Sequence, residues 1–245
     1  MFKSFSSALS FLTIIRLPST GAVITSADLA AGFACFPLTG LILGLIYCSP
    51  AYLFAGRVPA PLLSVLICTL MVALTRGLHL DGLADLADGV WGGANPERRL
   101  EIMKDSHIGS FGVLALILAI FFKATSVYAL ISVNRLEPLL LAPVLARFAM
   151  VAAAHGSLYA RQKGLGKPFL ENMRTRHLVI AAALAVLITV PMGPSLVLYF
   201  IPVLGLVIFF RSFTRKMLGG ITGDVFGAVS ETTEILVLFL GAISF

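Results

Sequence analysis

Over 245 residues the chain is 58% hydrophobic and only 12% charged, with a mean hydropathy of +0.98, which leaves too little polar surface to coat a soluble domain of this size. Its natural solvent is a bilayer, whose apolar core of about 30 Å takes roughly 20 apolar residues per helical crossing. The net charge of +6 is what basic loops held on one side of a membrane produce, so no nucleic-acid partner is implied.

The chain opens with Lys3 and a moderately apolar stretch over residues 5–17 that ends in no small-residue cleavage site. It reads as a retained interfacial helix stopped by Pro18. About seven spans follow, over residues 29–54, 60–80, 108–133, 138–158, 177–191, 194–210 and 225–245. The expected fold class is therefore all-α: a polytopic transmembrane helical bundle forming a single domain, 1–245. The fifth and sixth spans are short, and Pro191, Gly193 and Pro194 between them suit a tight hairpin. Cys35, Cys48 and Cys68 lie in apolar stretches without CxxC spacing or a histidine partner, as packing residues do.

Lysine and arginine set the orientation, because short basic loops stay cytoplasmic. Lys3 and Arg16 precede the first span; Arg98, Arg99 and Lys104 follow the second; Arg161, Lys163, Lys167, Arg174 and Arg176 follow the fourth; Arg211, Arg215 and Lys216 follow the sixth. The opposite loops hold only Arg57 and Arg135. The N-terminus is expected in the cytoplasm and the C-terminus outside. Loops 81–107, 159–176 and 211–224 then share the cytoplasmic face, where a site draws on soluble metabolites.

Where the second span meets that face, Asp81, Asp85 and Asp88 stand at i, i+4 and i+7, within an arc of about 60° if helical. Three like charges on one face repel, and Mg2+ relieves that cost: it takes carboxylate oxygens, keeps several waters and bridges to substrate phosphates. A merely solvated acidic helix end is the plain alternative, yet half of the 12 acidic residues fall between Asp81 and Asp105. His79, two residues earlier, suits a base, a hydrogen-bond donor to substrate, or a helix-end histidine without a catalytic part. Residues 97–109 read as a short amphipathic helix leading to Asp105 and Ser106. Asp105 is a further metal candidate, and Arg98 and Lys104 suit phosphate oxygens; a surface helix laced by Glu97, Arg98, Arg99 and Glu101 is the structural alternative.

Lys123 and Arg147 fall near the middle of the third and fourth spans. They balance Glu231 and Glu234, which lie roughly 10 to 15 Å below Asp224 at the helical rise. Such depth requires interior partners, so Arg147 is expected to pair with one of these glutamates; its rival role is a phosphate ligand. Asp224 and Glu231, seven apart, share a face. Gly219, Gly223 and Gly227 signal close helix packing as well as backbone approach to a phosphate. Trp91 reads as interfacial, and His107, His155 and His177 lack metal-ligand spacing.

Together these segments resemble the adenosylcobinamide-GDP ribazoletransferase family, also called the cobalamin synthase or cobalamin-5′-phosphate synthase family. The resemblance covers residues 9–13, 16–18, 36–41, 79–89, 101–106, 164–166 and 219–227, and the His-x-Asp-Gly-x-x-Asp-x-x-Asp-Gly string from His79 to Gly89, followed by Ile-Met-Lys-Asp-Ser ending at Ser106, is its most specific part. It implies a multi-pass enzyme of the cell inner membrane, in contact with lipid. Such an enzyme joins adenosylcobinamide-GDP to α-ribazole or its 5′-phosphate, releases GMP and requires Mg2+. By the resemblance Asp81, Asp85, Asp88 and Asp105 hold one or two metal ions, with Asp224 and Glu231 from the last span as further ligands. One of those carboxylates, or His79, takes the hydroxyl proton, Asp88 being favoured. Arg98, Lys104, Ser106, Arg147 and Gly223 are the expected substrate contacts.

Three other classes fit parts of the pattern. CDP-alcohol phosphotransferases also release a nucleoside monophosphate, but their Ala-Arg is missing after Asp85 and Asp88. Membrane prenyltransferases use two aspartate motifs and release pyrophosphate. A cation transporter would spread its carboxylates across the membrane, whereas most here gather at one face.

Overall fold

A computed structural model describes residues 2–17, 26–162, 164 and 167–243; Pro18, Lys163, Gly166 and the last two residues of the seventh expected span lie outside these. Its regular elements are helices, as lipid requires of a backbone that has to satisfy its own hydrogen bonds. In chain order they are α1 (Phe2–Leu12), α2 (Ser26–Ala34), α3 (Phe36–Leu53), α4 (Ala60–Thr75), α5 (Leu78–Gly92), α6 (Pro96–Ile102), α7 (Ser110–Ser132), α8 (Glu137–Ala154), α9 (Lys167–Glu171), α10 (Thr175–Thr189), α11 (Phe200–Leu218) and α12 (Gly223–Ile243).

Six segments are long and apolar enough to cross a bilayer: α3, α7, α8, α12, α10 with the 3₁₀ turn that extends it to Met192, and α11 with the 3₁₀ turns that precede it from Pro194. The seventh crossing falls to α4, which qualifies only with α5, and those two are bent by 87°. The architecture is thus the all-α, multi-pass bundle expected from composition.

Three boundaries move, each for a local reason. The first span starts at Phe36, because the chain breaks at Cys35 and α3 restarts with Pro37 in its first turn, where a missing N–H costs nothing. The second stops at Thr75. The third polar loop shrinks to residues 219–222: α11 continues past its apolar stretch through Arg211, Arg215 and Lys216, whose charges suit a helix C-terminus, until left-handed Gly219 (φ 79°) ends it. Residues 81–107 likewise are mostly helix, in α5 and α6.

α8 is the axis of the bundle, with every residue buried except Glu137 and Leu140. Its alanines let neighbours approach closely, and α3 answers with Gly40 and Gly44: a Cβ at Gly40 would overlap the Pro143 carbonyl, and one at Gly44 the Leu140 carbonyl. α12 packs on α8 from another side. α7, α10 and α11 turn residues such as Phe121, Leu187 and Ile208 outward, the apolar face that lipid covers. Successive crossings alternate in direction, so the C-terminal ends of α4, α8 and α11 and the first turns of α7, α10 and α12 meet at one charged face.

Candidate active site

Two consecutive left-handed residues, Arg76 (φ 56°) and Gly77 (φ 66°), set up the site. Glycine adopts this conformation freely and arginine at about 1 to 2 kcal/mol. The turn directs α5 across the first turns of α7 and α12 at the charged face, and its three aspartates meet different surroundings.

Asp88 is buried, and both its oxygens are engaged: Gly109 N–H donates to Oδ2 and Gly112 N–H to Oδ1, each at 2.8 Å. A Cβ on either glycine would overlap the carboxylate. Asp88 therefore anchors the N-terminus of α7, satisfying backbone donors no carbonyl reaches. That geometry gives Asp88 a capping role not foreseen for it, beside the metal and general-base roles expected from sequence.

Asp81 is exposed and Asp85 half-buried. Beside them Gly82 brings α5 against α12, where a Cβ would stand 2.7 Å from the Asp224 carbonyl oxygen. Burial, then the negative charges of Asp224 and Asp81, push the Asp85 carboxyl up to about 7 against the lowering effect of Arg161. Asp224 accepts from the Thr222 hydroxyl at 3.2 Å and pairs with Arg161 Nη2 at 2.8 Å. The same Arg161 nitrogen also donates to the Met103 carbonyl at 3.2 Å. Backbone bonds from Ala160 N to Ile221 O (2.9 Å) and from Ile221 N to Leu158 O (2.8 Å) hold the Arg161 loop against the start of α12.

The other expected ligands lie elsewhere. Asp105 is exposed and accepts from the His107 backbone N–H (3.0 Å) and pairs with its ring Nδ1 (2.7 Å), bonds that lower its pKa. Glu231 is buried within the bundle and binds Lys123 Nζ at 2.6 Å. Among the described residues no three His, Cys, Asp or Glu side chains form one metal-binding group. Mg2+ asks for less, commonly one or two carboxylates with water and substrate phosphates completing the shell, and adjacent Asp81 and Asp85, crowded by negative charge, fit that demand.

The basic candidates also separate. Arg147 is fully buried and pairs with Glu234, the partnership its depth predicts, so its guanidinium is committed inside the bundle instead of to a substrate phosphate. Arg98 forms an exposed pair with Glu101 at 2.6 Å. Lys104 and Ser106 are exposed, and Lys104 joins Asp105 and Arg161 around an open depression of about 750 Å3. The three glycines divide as well: Gly219 caps α11, Gly227 packs against the His79 backbone, and Gly223 has open space where its Cβ would be.

A deeper cavity of about 230 Å3 adjoins this depression, and Arg161 borders both. His79, Asp81, Tyr159, Arg161, Gly223 and Asp224 line it together with Phe11, Phe33, Phe36 and Phe226. Sequence reasoning counted Arg161 among the basic residues that set the topology without singling it out for the site, and missed the aromatic wall. Phe36 and Phe226 stood inside motifs already singled out, but only the fold shows them facing one space.

Fold and site define a multi-pass α-helical membrane enzyme with carboxylates and an arginine gathered around a cavity at one face. The family model described as cobalamin-5-phosphate synthase matches residues 4–242, and the chain belongs to that family. It is 51% identical to an adenosylcobinamide-GDP ribazoletransferase of Syntrophobacter fumaroxidans over 99% of both chains. It is 37% identical to that of Geotalea daltonii, over 97% of this chain and 96% of the relative, and 39% identical to that of Chlorobaculum parvum, over 99% and 96%. No solved structure matches.

Proposed function

We propose that the enzyme transfers the adenosylcobinamide-phosphate group of adenosylcobinamide-GDP to α-ribazole or its 5′-phosphate, with release of GMP, on the cytoplasmic face of the cell inner membrane. The relatives' shared name supports the substrates, and the one-sided distribution of Lys and Arg supports the orientation. The observation that carries the reading is the convergence of Asp81, Asp224 and Arg161, from three separate polar segments, on one cavity.

Asp81 and Asp85 would hold Mg2+, which when bound supplies charge neutralisation for the diphosphate and the departing GMP. Arg161, bordering both the cavity and the outer depression, is placed to receive phosphate oxygens, with Lys104 further out. A ribazole hydroxyl attacks the phosphorus bearing the cobinamide arm; a P–O bond forms to it and the P–O bond to GMP breaks. The hydroxyl proton passes to a carboxylate, and Asp224, oriented by Arg161 and Thr222, replaces Asp88 in that role.

Purified protein given adenosylcobinamide-GDP, α-ribazole and Mg2+ should form GMP and a cobalamin product in equal amounts, followed by chromatography. Turnover should vanish with chelator and in Asp85→Ala. Folded protein that produces neither GMP nor cobalamin with either ribazole form would refute the assignment.

A further inference from the structure

The buried charges inside the bundle are not used by the reaction, yet they end at the cavity. Lys123 Nζ donates to Glu231 Oε2 and Glu234 Oε2, both at 2.6 Å. Glu234 pairs with Arg147, and Arg147 Nη2 lies 3.4 Å from His79 Nδ1. A guanidinium has donors only. Nδ1 facing it must be the acceptor, because an imidazolium would set N–H against N–H beside a cation. In the neutral ring the proton therefore sits on Nε2. His79 is 2% exposed, lines the 230 Å3 cavity, and its Nε2 has no hydrogen-bond partner among the described residues. A buried donor with nothing to donate to is costly, and at a cavity wall water, an ion or a ligand supplies the acceptor.

The remaining walls say what kind of ligand. Phe33 lies against Phe36 with ring centroids 4.8 Å apart and meets Phe226 edge-on at 6.2 Å. Phe11, Leu78 and Met150 complete the apolar surround. Asp224 begins α12, whereas Gly227, packed on the His79 backbone, is almost one turn deeper along it. A dry cavity of about 150 Å3 suffices for benzene, so this one has room for a two-ring heterocycle.

We propose that this cavity is the base pocket for ribazole, in which His79 Nε2–H donates to the single unsubstituted ring nitrogen of a benzimidazole-type base between the Phe33, Phe36 and Phe226 rings. This rests on the reaction proposed above. The alternative aromatic ligand, guanine, carries several donors and acceptors around its edge, and those that the phenylalanine rings cover would be left unmet. A benzimidazole nucleoside has one free ring nitrogen for His79 to answer, which leaves Asp81, Tyr159, Arg161 and Asp224 in the same lining for the sugar. With the base seated there, the ribose extends towards Asp81, Asp224 and Arg161. His79 is then a binding and specificity residue, and the Lys123–Glu234–Arg147 network fixes its tautomer.

The test is calorimetric binding, without turnover, of α-ribazole and of its indole analogue, in which C–H replaces the free ring nitrogen. Wild-type full-length protein in detergent should bind the indole analogue about tenfold more weakly, the usual scale of one lost buried hydrogen bond. His79→Phe should weaken ribazole by a similar factor and erase the discrimination, whereas His79→Gln, with an N–H near the same place, should keep part of it. Equal binding of both nucleosides by the wild type, discrimination that survives in His79→Phe, or GMP displacing ribazole competitively from the pocket would each overturn the proposal. The turnover assay reports separately on the reaction: selective ribazole binding without GMP release would remove the reaction and leave the pocket standing.

Discussion

At the scale of single residues, three aspartates that look equivalent in sequence have been given different work. Asp88 caps α7 with both oxygens, so Asp88→Asn should turn an amide N–H2 towards a backbone donor and cost about 1 to 3 kcal/mol. A lowered thermal midpoint with an unchanged Mg2+ requirement in the surviving activity is the expected result; unchanged stability with lost Mg2+ dependence would return Asp88 to the metal. Asp85 is the converse case. Its carboxyl is held up at about 7 by burial and by Asp224 and Asp81, so the folded metal-free protein binds a proton there that the unfolded chain has released by about pH 5. The sign follows: stability contributed by protonated Asp85 is lost as pH rises towards 7 and stays lost above it, and a bound cation offsets the loss. The Mg2+-induced rise in thermal midpoint should therefore be small at pH 5.5 and reach a plateau above about pH 7.5. Asp85→Asn should flatten that difference, and an equal Mg2+ effect at both pH values in the wild type would count against it. The spacing of the aspartates made their common helix face legible. It could not show what stands opposite, and the N–H groups of Gly109 and Gly112 decide the role of Asp88.

At the scale of elements, the apolar runs announced the spans, because length and hydropathy are what a bilayer selects. The breaks were less legible. Hydrophobicity continues through Cys35 and past Thr75 into Leu78 and Leu80, so the restart of α3 and the 87° turn into α5 depend on backbone conformation, at Pro37 in one case and at Arg76 and Gly77 in the other. The end of α11 was lost in the opposite way, since a polar surface does not stop a helix that has a core face to bury. Packing between elements rests on glycines, and their contributions are separable. Gly40→Ala would push a methyl into the Pro143 carbonyl of α8, an overpacking expected to cost about 1 to 3 kcal/mol. Gly205→Ala meets nothing within 4 Å and should leave the midpoint unchanged or slightly higher. Thermal unfolding of the two variants in the same detergent checks this, and comparable destabilisation of both would deny the α3–α8 seam its special closeness.

For the whole molecule, orientation and interior charge are two sides of one electrostatic constraint. The loops that hold Ser106 and Gln162 should be cytoplasmic and Arg57 external. A membrane-impermeant thiol reagent applied outside intact cells should then label Arg57→Cys and spare Ser106→Cys; the reverse pattern would invert the topology. Within the bilayer region, Lys123, Arg147, Glu231 and Glu234 are each less than a tenth exposed and draw α7, α8 and α12 together through two cations and two anions. The formal balance was readable from depth, but the sharing of Lys123 between both glutamates was not, because it depends on how α7 is rotated against α12. Lys123→Met leaves two carboxylates facing Arg147 alone, and breaking a buried pair from one side typically costs about 3 to 5 kcal/mol. Adding Glu231→Gln removes the uncompensated charge while Glu234 keeps Arg147. The double variant should therefore recover most of the thermal midpoint lost by the single one. Losses that simply add would mean that the helices are held by apolar packing at these positions and that the charges are bystanders.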